Sequence, residues 1–177
     1  MKQIAYQGVK GSYGDIAARK MFGLEYAYVG MKTFREVFEK VSKGEAALGI
    51  VPVENSLVGS IHENFDLLYQ YDLSIHGEIH SEIAHCLLAL SPEVSLYNLK
   101  RVISHPKALE QCRQFFQKNH WIEAVASFNT AEAALEVSKM KDPGCAAIAS
   151  LEAAELYGLH PIAKNIQDSV DNYTRFA

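Results

Sequence analysis

Short apolar runs alternate with segments of helical spacing along the first 70 residues. The apolar runs predict strands at residues 3–7, 26–29 and 46–53. Between them, amphipathic segments predict helices that begin at Tyr13 and Phe34, each preceded by a hydroxyl residue that suits an N-cap. This βαβαβα order with short connections predicts a parallel sheet.

The polar triplet Glu54-Asn55-Ser56 follows the third predicted strand, at the end where open α/β sheets bind ligands. Ser60 is the predicted N-cap of the next helix, with Glu63 as its capping-box partner. A carboxylate, an amide and a hydroxyl beside a helix N-terminus could bind an anion. Taken alone, the pattern is more typical of a polar turn that caps its own backbone.

Residues 73–90 predict one long strand. Polar and apolar residues alternate along it, so His76, Glu78, His80 and Glu82 would lie on one face. Neighbouring side chains of this kind could share a metal ion, but no motif sets a ligand geometry. The pattern favours a solvated face.

The second half of the chain has the same α/β pattern. Strands are predicted at residues 101–104, 122–128 and 145–149. A single helix is predicted after Ser104-His105, with Pro106 in its first turn and Gln111 one turn further along. Further helices lead to Met140 and Tyr157. This second run covers roughly residues 83–159, and the tail at 162–177 is strand-like at first and then polar.

Composition and charge narrow the function classes. The chain has 177 residues, 49% hydrophobic and 21% charged, enough for one domain or two small lobes. A net charge of −4 gives no global attraction for nucleic acid or an anionic membrane. Neither a signal peptide nor a membrane-length apolar run is seen, and three scattered cysteines indicate reduced thiols. The prediction is a cytoplasmic protein.

The polar residues that could carry chemistry are spread over both α/β runs. There is no GxSxG elbow, P-loop or dinucleotide fingerprint. The glycine-bounded turn before Ser12 could cradle an anion, although a plain tight turn is more typical of it. A small polar anion in a cleft between two lobes would suit the remaining set, which is Glu54, Asn55, Ser56, Ser104, His105, Gln111, Thr174 and Arg175.

At these residues the sequence closely resembles the prephenate dehydratase family. The matching motifs cover nearly the whole chain, and the order ENS, SHP and TRF is highly specific. They are GVKGSYGDIAA (8–18), PVENSLVGSIHENFDLL (52–68), GEI (77–79), SHPKALEQC (104–112), NTAEAA (129–134), AAIASLEAAELYGL (146–159) and IQDSVDNYTRF (166–176). The GSIHxNxDLL form looks most like the branch that includes the arogenate dehydratases.

The resemblance implies an α/β fold with two lobes, like the type II periplasmic binding proteins, and an active site in the cleft between the lobes. Residues 1–79 and 163–177 would form lobe 1, and residues 80–162 would form lobe 2. The long strand near His76 would then be a hinge strand.

The implied reaction converts prephenate to phenylpyruvate, water and carbon dioxide in phenylalanine biosynthesis, with no metal or cofactor. By resemblance, Thr174 donates a proton to the leaving hydroxyl. Because a threonine hydroxyl is a very weak acid, neighbours must polarise it, and Arg175 and the Glu54-Asn55 pair are the candidates. Asn55, Ser56 and Gln111 would orient the substrate, Arg175 would pair with a carboxylate, and Phe176 would form an apolar wall. Ser12, Ser104 and His105 complete the expected substrate contacts. A competing assignment makes a protonated Glu54 the acid.

Two departures from the family pattern affect these expectations. Lys107 stands where the family usually has Gln, which adds a positive charge and could shift substrate preference. The chain ends at Ala177, and nothing in it matches the ACT-type regulatory domain that usually follows. We therefore expect no feedback control, weak activity from a shortened form, and higher turnover when the next strand is restored.

Three alternatives to a prephenate dehydratase remain. Arogenate, whose amino group replaces the keto oxygen, could be the substrate. The chain could instead be a non-catalytic module of the same fold that binds a small anion. A metal enzyme that uses His76, Glu78 and His80 is the most distant alternative. A homodimer is common in the family.

Overall fold

Three parallel strands form the first sheet of the computed structural model, which describes residues 2–177. The strand order is β2-β1-β3, and the parallel sheet predicted from the βαβαβα pattern is confirmed for these strands. The strands are β1 (Gln3–Gln7), β2 (Ala27–Met31) and β3 (Leu48–Ile50), connected by helices α1 (Tyr13–Phe22) and α2 (Phe34–Ser42).

Local side-chain caps explain where α1 and α2 begin. Ser12 Oγ accepts a hydrogen bond from the backbone N–H of Asp15 at 3.4 Å. Thr33 and Glu36 form a complete capping box at the start of α2. Both caps satisfy backbone groups that a helix end leaves without an internal partner. Both predicted N-caps are therefore confirmed.

A four-stranded antiparallel sheet, with the order β5-β4-β12-β6, contains the polar triplet. The single strand predicted at 46–53 is wrong, because the chain passes from the first sheet to this one at Val51. Val51 pairs with Ala177 through two backbone hydrogen bonds of 2.9 Å. The strands are β4 (Pro52–Asn55), β5 (Gly59–Ser60), β6 (Ile79–Glu82) and β12 (Tyr173–Phe176).

The helix after the triplet, α3 (His62–Tyr71), has no side-chain cap. Its N-cap residue is Ile61, and the predicted cap by Ser60 is wrong. Ser60 instead pairs with Glu54 across β5 and β4. Tertiary strand pairing has therefore replaced the local capping box, and the triplet does not precede a capped helix N-terminus.

The prediction of one long strand over residues 73–90 is also wrong. Residues 73–78 have no regular secondary structure, and the rest divides into β6 and β7 (Cys86–Ala89), which belong to different sheets. The interruption contains His85, whose buried side chain and backbone N–H both find partners outside a strand ladder.

Five strands form the sheet of the second half, in the order β11-β7-β10-β8-β9. β8, β9 and β10 are parallel, whereas β7 runs antiparallel to both its neighbours. Fully buried side chains such as Leu87, Val102 and Ile148 fill the core on one side of this sheet. The remaining elements are β8 (Arg101–Ser104), α4 (Pro106–Glu110), α5 (Arg113–Lys118), β9 (Glu123–Ala126), α6 (Thr130–Met140), β10 (Cys145–Ala149), α7 (Leu151–Tyr157) and β11 (His160–Ala163).

The single helix predicted after His105 is interrupted between α4 and α5. Gln111 is the C-cap of α4, not a residue within a helix. The carboxylate of Asp168 accepts hydrogen bonds from the backbone N–H groups of Arg113 at 3.1 Å and Gln114 at 2.9 Å. A side chain 55 residues away therefore caps the second helix, which no local pattern could indicate.

The described residues divide into two compact units. Unit 1 comprises the chain up to Ile83 together with Asp171–Ala177, and unit 2 is Ala84–Val170. The boundaries expected from the sequence lie after residues 79 and 162 and stay predictions. Of the helices found in residues 2–177, none combines the length and the apolar character needed to span a bilayer.

Candidate active site

Strand pairing brings the two most specific motifs of unit 1 together. β12 lies between β4 and β6, with Thr174 opposite Asn55 and Arg175 opposite Glu54. The two motifs are about 120 positions apart in the chain, yet their side chains are in direct contact.

The amide of Asn55 has one orientation that satisfies its partners. Its Oδ1 accepts hydrogen bonds from the backbone N–H groups of Leu57 and Val58, both at 3.1 Å. Its Nδ2 therefore points towards β12, where it contacts Asn172 Oδ1 at 2.9 Å and Thr174 Oγ1 at 3.0 Å. The backbone oxygen of Tyr173 is a third acceptor at 3.1 Å. The residue is buried, so this orientation is well defined.

Thr174 is the acceptor in its bond with Asn55. Only 8% of the residue is exposed. Because Asn55 Nδ2 can only donate, the hydroxyl hydrogen of Thr174 is directed away from Asn55. A hydroxyl held in this way can donate to another oxygen while its own oxygen is stabilised by an N–H group.

Arg175 binds two carboxylates on opposite sides of its strand. Its Nη2 lies 2.9 Å from Glu54 Oε2, and its Nη1 lies 3.0 Å from Glu78 Oε2. These contacts raise the pKa of Arg175, and the hydrogen bond with Glu78 has the largest effect. The guanidinium Nε is inaccessible and has no hydrogen-bond partner among residues 2–177. Both terminal nitrogens are thus already engaged by protein carboxylates.

Ser56 fastens the loop before β12. Its Oγ donates to the backbone oxygen of Asp171 at 2.8 Å and accepts from the backbone N–H of Tyr173 at 3.0 Å. The hydroxyl therefore bonds to the backbone on either side of Asn172. Ser56 holds the segment that carries Thr174.

Two other predicted site residues of unit 1 lie apart from this network. The hydroxyl of Ser12 caps α1, and the turn before it is closed by Asp15, whose carboxylate accepts from the Gly11 N–H at 2.9 Å. The positive φ of Gly11, 85°, permits this turn, and an internal carboxylate occupies the position expected for an anion. Phe176 is 3% exposed and packs in the apolar core beside Ile4.

In unit 2, Ser104 and His105 serve backbone structure. Ser104 is fully buried, and its Oγ donates to the backbone oxygen of Ile148 at 2.6 Å, which joins β8 to β10. His105 Nδ1 accepts from the backbone N–H of Lys107 at 3.1 Å and so caps α4. Burial, and secondly the charge of Lys107, lower the pKa of His105. This imidazole is therefore neutral near pH 7.

Gln111 contacts a histidine that the sequence analysis did not select. Its Oε1 lies 2.8 Å from His85 Nε2. Because the amide oxygen only accepts, the imidazole carries its proton on Nε2. Burial lowers the pKa of His85, which keeps the ring neutral. The backbone oxygen of Gln111 also accepts from the Asp168 N–H at 2.7 Å.

Three residues of these networks were not assigned from the sequence to the site of Thr174 or Gln111: Glu78, His85 and Asn172. Glu78 lies in the GEI motif and is considered only as a metal ligand, because its alternation with His76 and His80 gives no signal of a partner in β12. His85 interrupts an apolar run, IAHCLLAL, and such a position does indicate a buried polar group. Asn172 is in the TRF-containing motif, but only strand pairing shows that it contacts Asn55.

The polar residues considered as metal ligands do not form a cluster. Within residues 2–177, no three His, Cys, Asp or Glu side chains come together in a way that could hold a metal ion. A separate apolar cavity of about 350 Å³ in unit 1 is lined by residues such as Val37, Leu48, Leu68 and Ala177. Its lining does not include Asn55 or Thr174.

The chain is similar in sequence to known proteins over nearly its whole length. The sequence pattern of the family described as "PDT: Prephenate dehydratase" matches residues 4–177. The Arabidopsis thaliana protein "Arogenate dehydratase/prephenate dehydratase 2, chloroplastic" is 42% identical over 174 residues. That alignment covers 98% of this chain and 45% of the relative, so the chain spans less than half the length of this relative.

Solved structures also match over almost the whole chain. The prephenate dehydratase of Arthrobacter aurescens, in complex with L-Phe, has a TM-score of 0.88 at 28% identity, covering 98% of this chain and 58% of the other. A structure described as "GqqA- a novel type of quorum quenching acylases" has a TM-score of 0.85 at 34% identity, covering 99% and 62%.

A more distant match concerns the fold alone. The periplasmic domain of Bordetella pertussis BvgS has a TM-score of 0.50 at 15% identity, covering 99% of this chain and 36% of the other. The predicted α/β fold, of the kind found in prephenate dehydratases and periplasmic binding domains, is confirmed. By the match over residues 4–177, the chain belongs to the prephenate dehydratase family.

Proposed function

We propose that this chain catalyses the decarboxylating dehydration of prephenate or arogenate, and that Thr174 is the proton donor. The observation that carries the proposal is the hydrogen bond from Asn55 Nδ2 to Thr174 Oγ1, 3.0 Å long, in a buried setting. Family membership supports the reaction class. The name of the Arabidopsis relative includes both substrates.

The reaction needs a proton at the leaving oxygen. The ring carboxylate departs as carbon dioxide, and the electron pair of its bond to the ring moves into the ring as the carbon–oxygen bond on the opposite side breaks. Hydroxide is a poor leaving group, so a donor must protonate that oxygen as the bond lengthens. The hydroxyl of Thr174 would supply this proton, water would leave, and solvent would reprotonate Thr174.

Asn55 makes such a weak acid usable. As Thr174 loses its proton, negative charge develops on Oγ1, where the Asn55 N–H already points. Because Asn55 is held by two backbone N–H groups, no reorganisation is needed when the charge appears. The donor is therefore stabilised before the reaction begins.

Glu54 is a weaker candidate for the acid. Its carboxylate is 2.9 Å from the Arg175 guanidinium and half-exposed. The carboxylate is thus already engaged by a cation, and its half-exposed position is not the dry pocket that a carboxylic acid donor needs. We assign Glu54 the task of holding Arg175. Arg175 could pair with a substrate carboxylate through the second hydrogen of a terminal nitrogen, or by exchanging Glu54 or Glu78 for it.

Side-by-side assays with prephenate and arogenate test this function. The protein should form phenylpyruvate from the first compound or phenylalanine from the second, and the ratio of the two kcat/KM values identifies the substrate. Glu54→Gln should retain measurable kcat with a changed KM. Abolished turnover in Glu54→Gln, with a native fold by circular dichroism, would move the acid role to Glu54. Tight binding of prephenate without any product would instead favour a non-catalytic binding module.

A further inference from the structure

Asn172 is a fully buried amide in the loop before β12, next to residues that would react. It is 0% exposed, and its Oδ1 accepts from Asn55 Nδ2 at 2.9 Å. Its backbone oxygen accepts from the Ile83 N–H at 2.8 Å. Ser56 bonds to the backbone on both sides of it, at Asp171 and Tyr173. The position of Asn172 is thus set from several directions.

The hydrogens of Asn55 connect Asn172 to Thr174. Nδ2 has two hydrogens, and its acceptors include both Asn172 Oδ1 and Thr174 Oγ1. The amide plane is already fixed by the contacts of Oδ1. When Asn172 takes one hydrogen, the other is left for Thr174 Oγ1 at 3.0 Å and the Tyr173 backbone oxygen at 3.1 Å.

We propose that Asn172 is a positioning residue for the dehydration, acting through Asn55 on Thr174. It accepts one N–H of Asn55 and so directs the other towards Thr174 Oγ1 and the Tyr173 backbone oxygen beside it. Because it is a neutral acceptor, it does this without placing a negative charge beside the oxygen that becomes negative during proton transfer. This inference rests on the proposed role of Thr174 as proton donor.

A carboxylate at position 172 tests whether Asn172 acts through its neutral charge as well as through the position of its acceptor oxygen. Asn172→Asp keeps an acceptor of the same shape but adds a negative charge when ionised. Two hydrogen bonds of 2.9 and 3.0 Å place that charge no more than about 6 Å from Thr174 Oγ1. At about 6 Å and an effective dielectric constant of about 20, full charge development on Oγ1 would slow the step by about 100-fold, and partial charge development by less.

The pH dependence of kcat therefore tests the inference. For Asn172→Asp we expect kcat about 10- to 100-fold below native at pH 8, rising towards native as the pH falls and the new carboxyl is protonated. KM should change much less than kcat. The matched control is Asn98→Asp, which adds the same charge at an exposed position of unit 2 and should retain the native profile. A merely structural role for Asn172 would change the folded fraction, which circular dichroism measures at each pH, and would leave kcat per folded molecule native.

A second variant and the activity of the native protein decide the remaining outcomes. If Asn172→Asp does not fold, Asn172→Ser replaces it, and kcat should then fall at least tenfold at every pH, because a short hydroxyl does not reach Asn55. Native kcat with a native pH profile in the folded variant overturns the inference alone, provided that Thr174→Val is inactive. A native protein that turns over neither prephenate nor arogenate overturns the proposed function and this inference together.

Discussion

The bond between Asn55 and Thr174 can be tested by removing the Asn55 side chain. Asn55→Ala removes hydrogen bonds to Asn172, Tyr173 and Thr174 and leaves the backbone N–H groups of Leu57 and Val58 without their acceptor. Each such bond contributes about 0.5–1.5 kcal/mol to stability. Water can replace some of these bonds, because Leu57 and Val58 are exposed. We therefore expect the free energy of unfolding to fall by about 3 kcal/mol.

Turnover should fall more than stability can explain. Loss of one preorganised donor at a developing negative charge typically lowers kcat by about 10²- to 10³-fold. We therefore expect at least a 100-fold lower kcat from the folded fraction of Asn55→Ala, measured as phenylpyruvate formed from prephenate. Urea unfolding, followed by circular dichroism, gives that fraction for each variant.

Asn64 provides a matched control in the same unit. It is also a buried asparagine, and its Nδ2 donates to the backbone oxygen of Pro52 at 2.7 Å. Asn64→Ala should cost about 1–3 kcal/mol of stability for its lost bond, while kcat of the folded protein stays within a few-fold of native. The reasoning is refuted if both alanine variants keep native kcat, or if both lose it equally.

Three further predictions concern the fold and its buried groups. Phe176→Ala should lower the free energy of unfolding by about 3–5 kcal/mol in urea melts, since the ring is 3% exposed within the core of unit 1; a loss below 1 kcal/mol would place the ring outside the core. Burial lowers the pKa of His85 below the value of about 6.5 expected in the unfolded chain, so stability should be fully present above pH 6.5 and decline as the pH falls below it. His85→Gln should make unfolding less dependent on pH in that window, and an unchanged slope would contradict the assignment. Burial raises the pKa of Cys112 to about 12, so a thiol reagent at pH 8 should label this cysteine only after urea is added, as detected by mass spectrometry; rapid labelling of the native protein would show that the thiol is accessible.

Elements with local signals could be predicted from the sequence. The caps formed by Ser12 and Thr33 involve partners three residues away, so the sequence pattern and the structure agree. The parallel strands of unit 1 follow from the order of their elements, and strand β10 is a continuous apolar run that is fully buried.

Elements that depend on distant partners could not be predicted. Ser60 has the right spacing for a helix cap, but its pairing with Glu54 places it in a strand. The helix after His105 ends early because Asp168, far along the chain, caps a second helix there. The residues of ENS and TRF could be selected from their motifs. The contacts of Asn172 and Glu78 could not, because they depend on how β12 pairs with β4 and β6.

The most direct test of the central claim compares Thr174→Val with Thr174→Ser. Valine keeps the shape of threonine but has no hydroxyl, whereas serine keeps the hydroxyl that Asn55 contacts. The measurement is the rate of phenylpyruvate formation from prephenate, or of phenylalanine from arogenate if that is the better substrate. We predict a loss of about 10²- to 10⁴-fold in Thr174→Val, as expected for removal of a general acid, and substantial activity in Thr174→Ser. Near-native turnover by Thr174→Val would contradict the account.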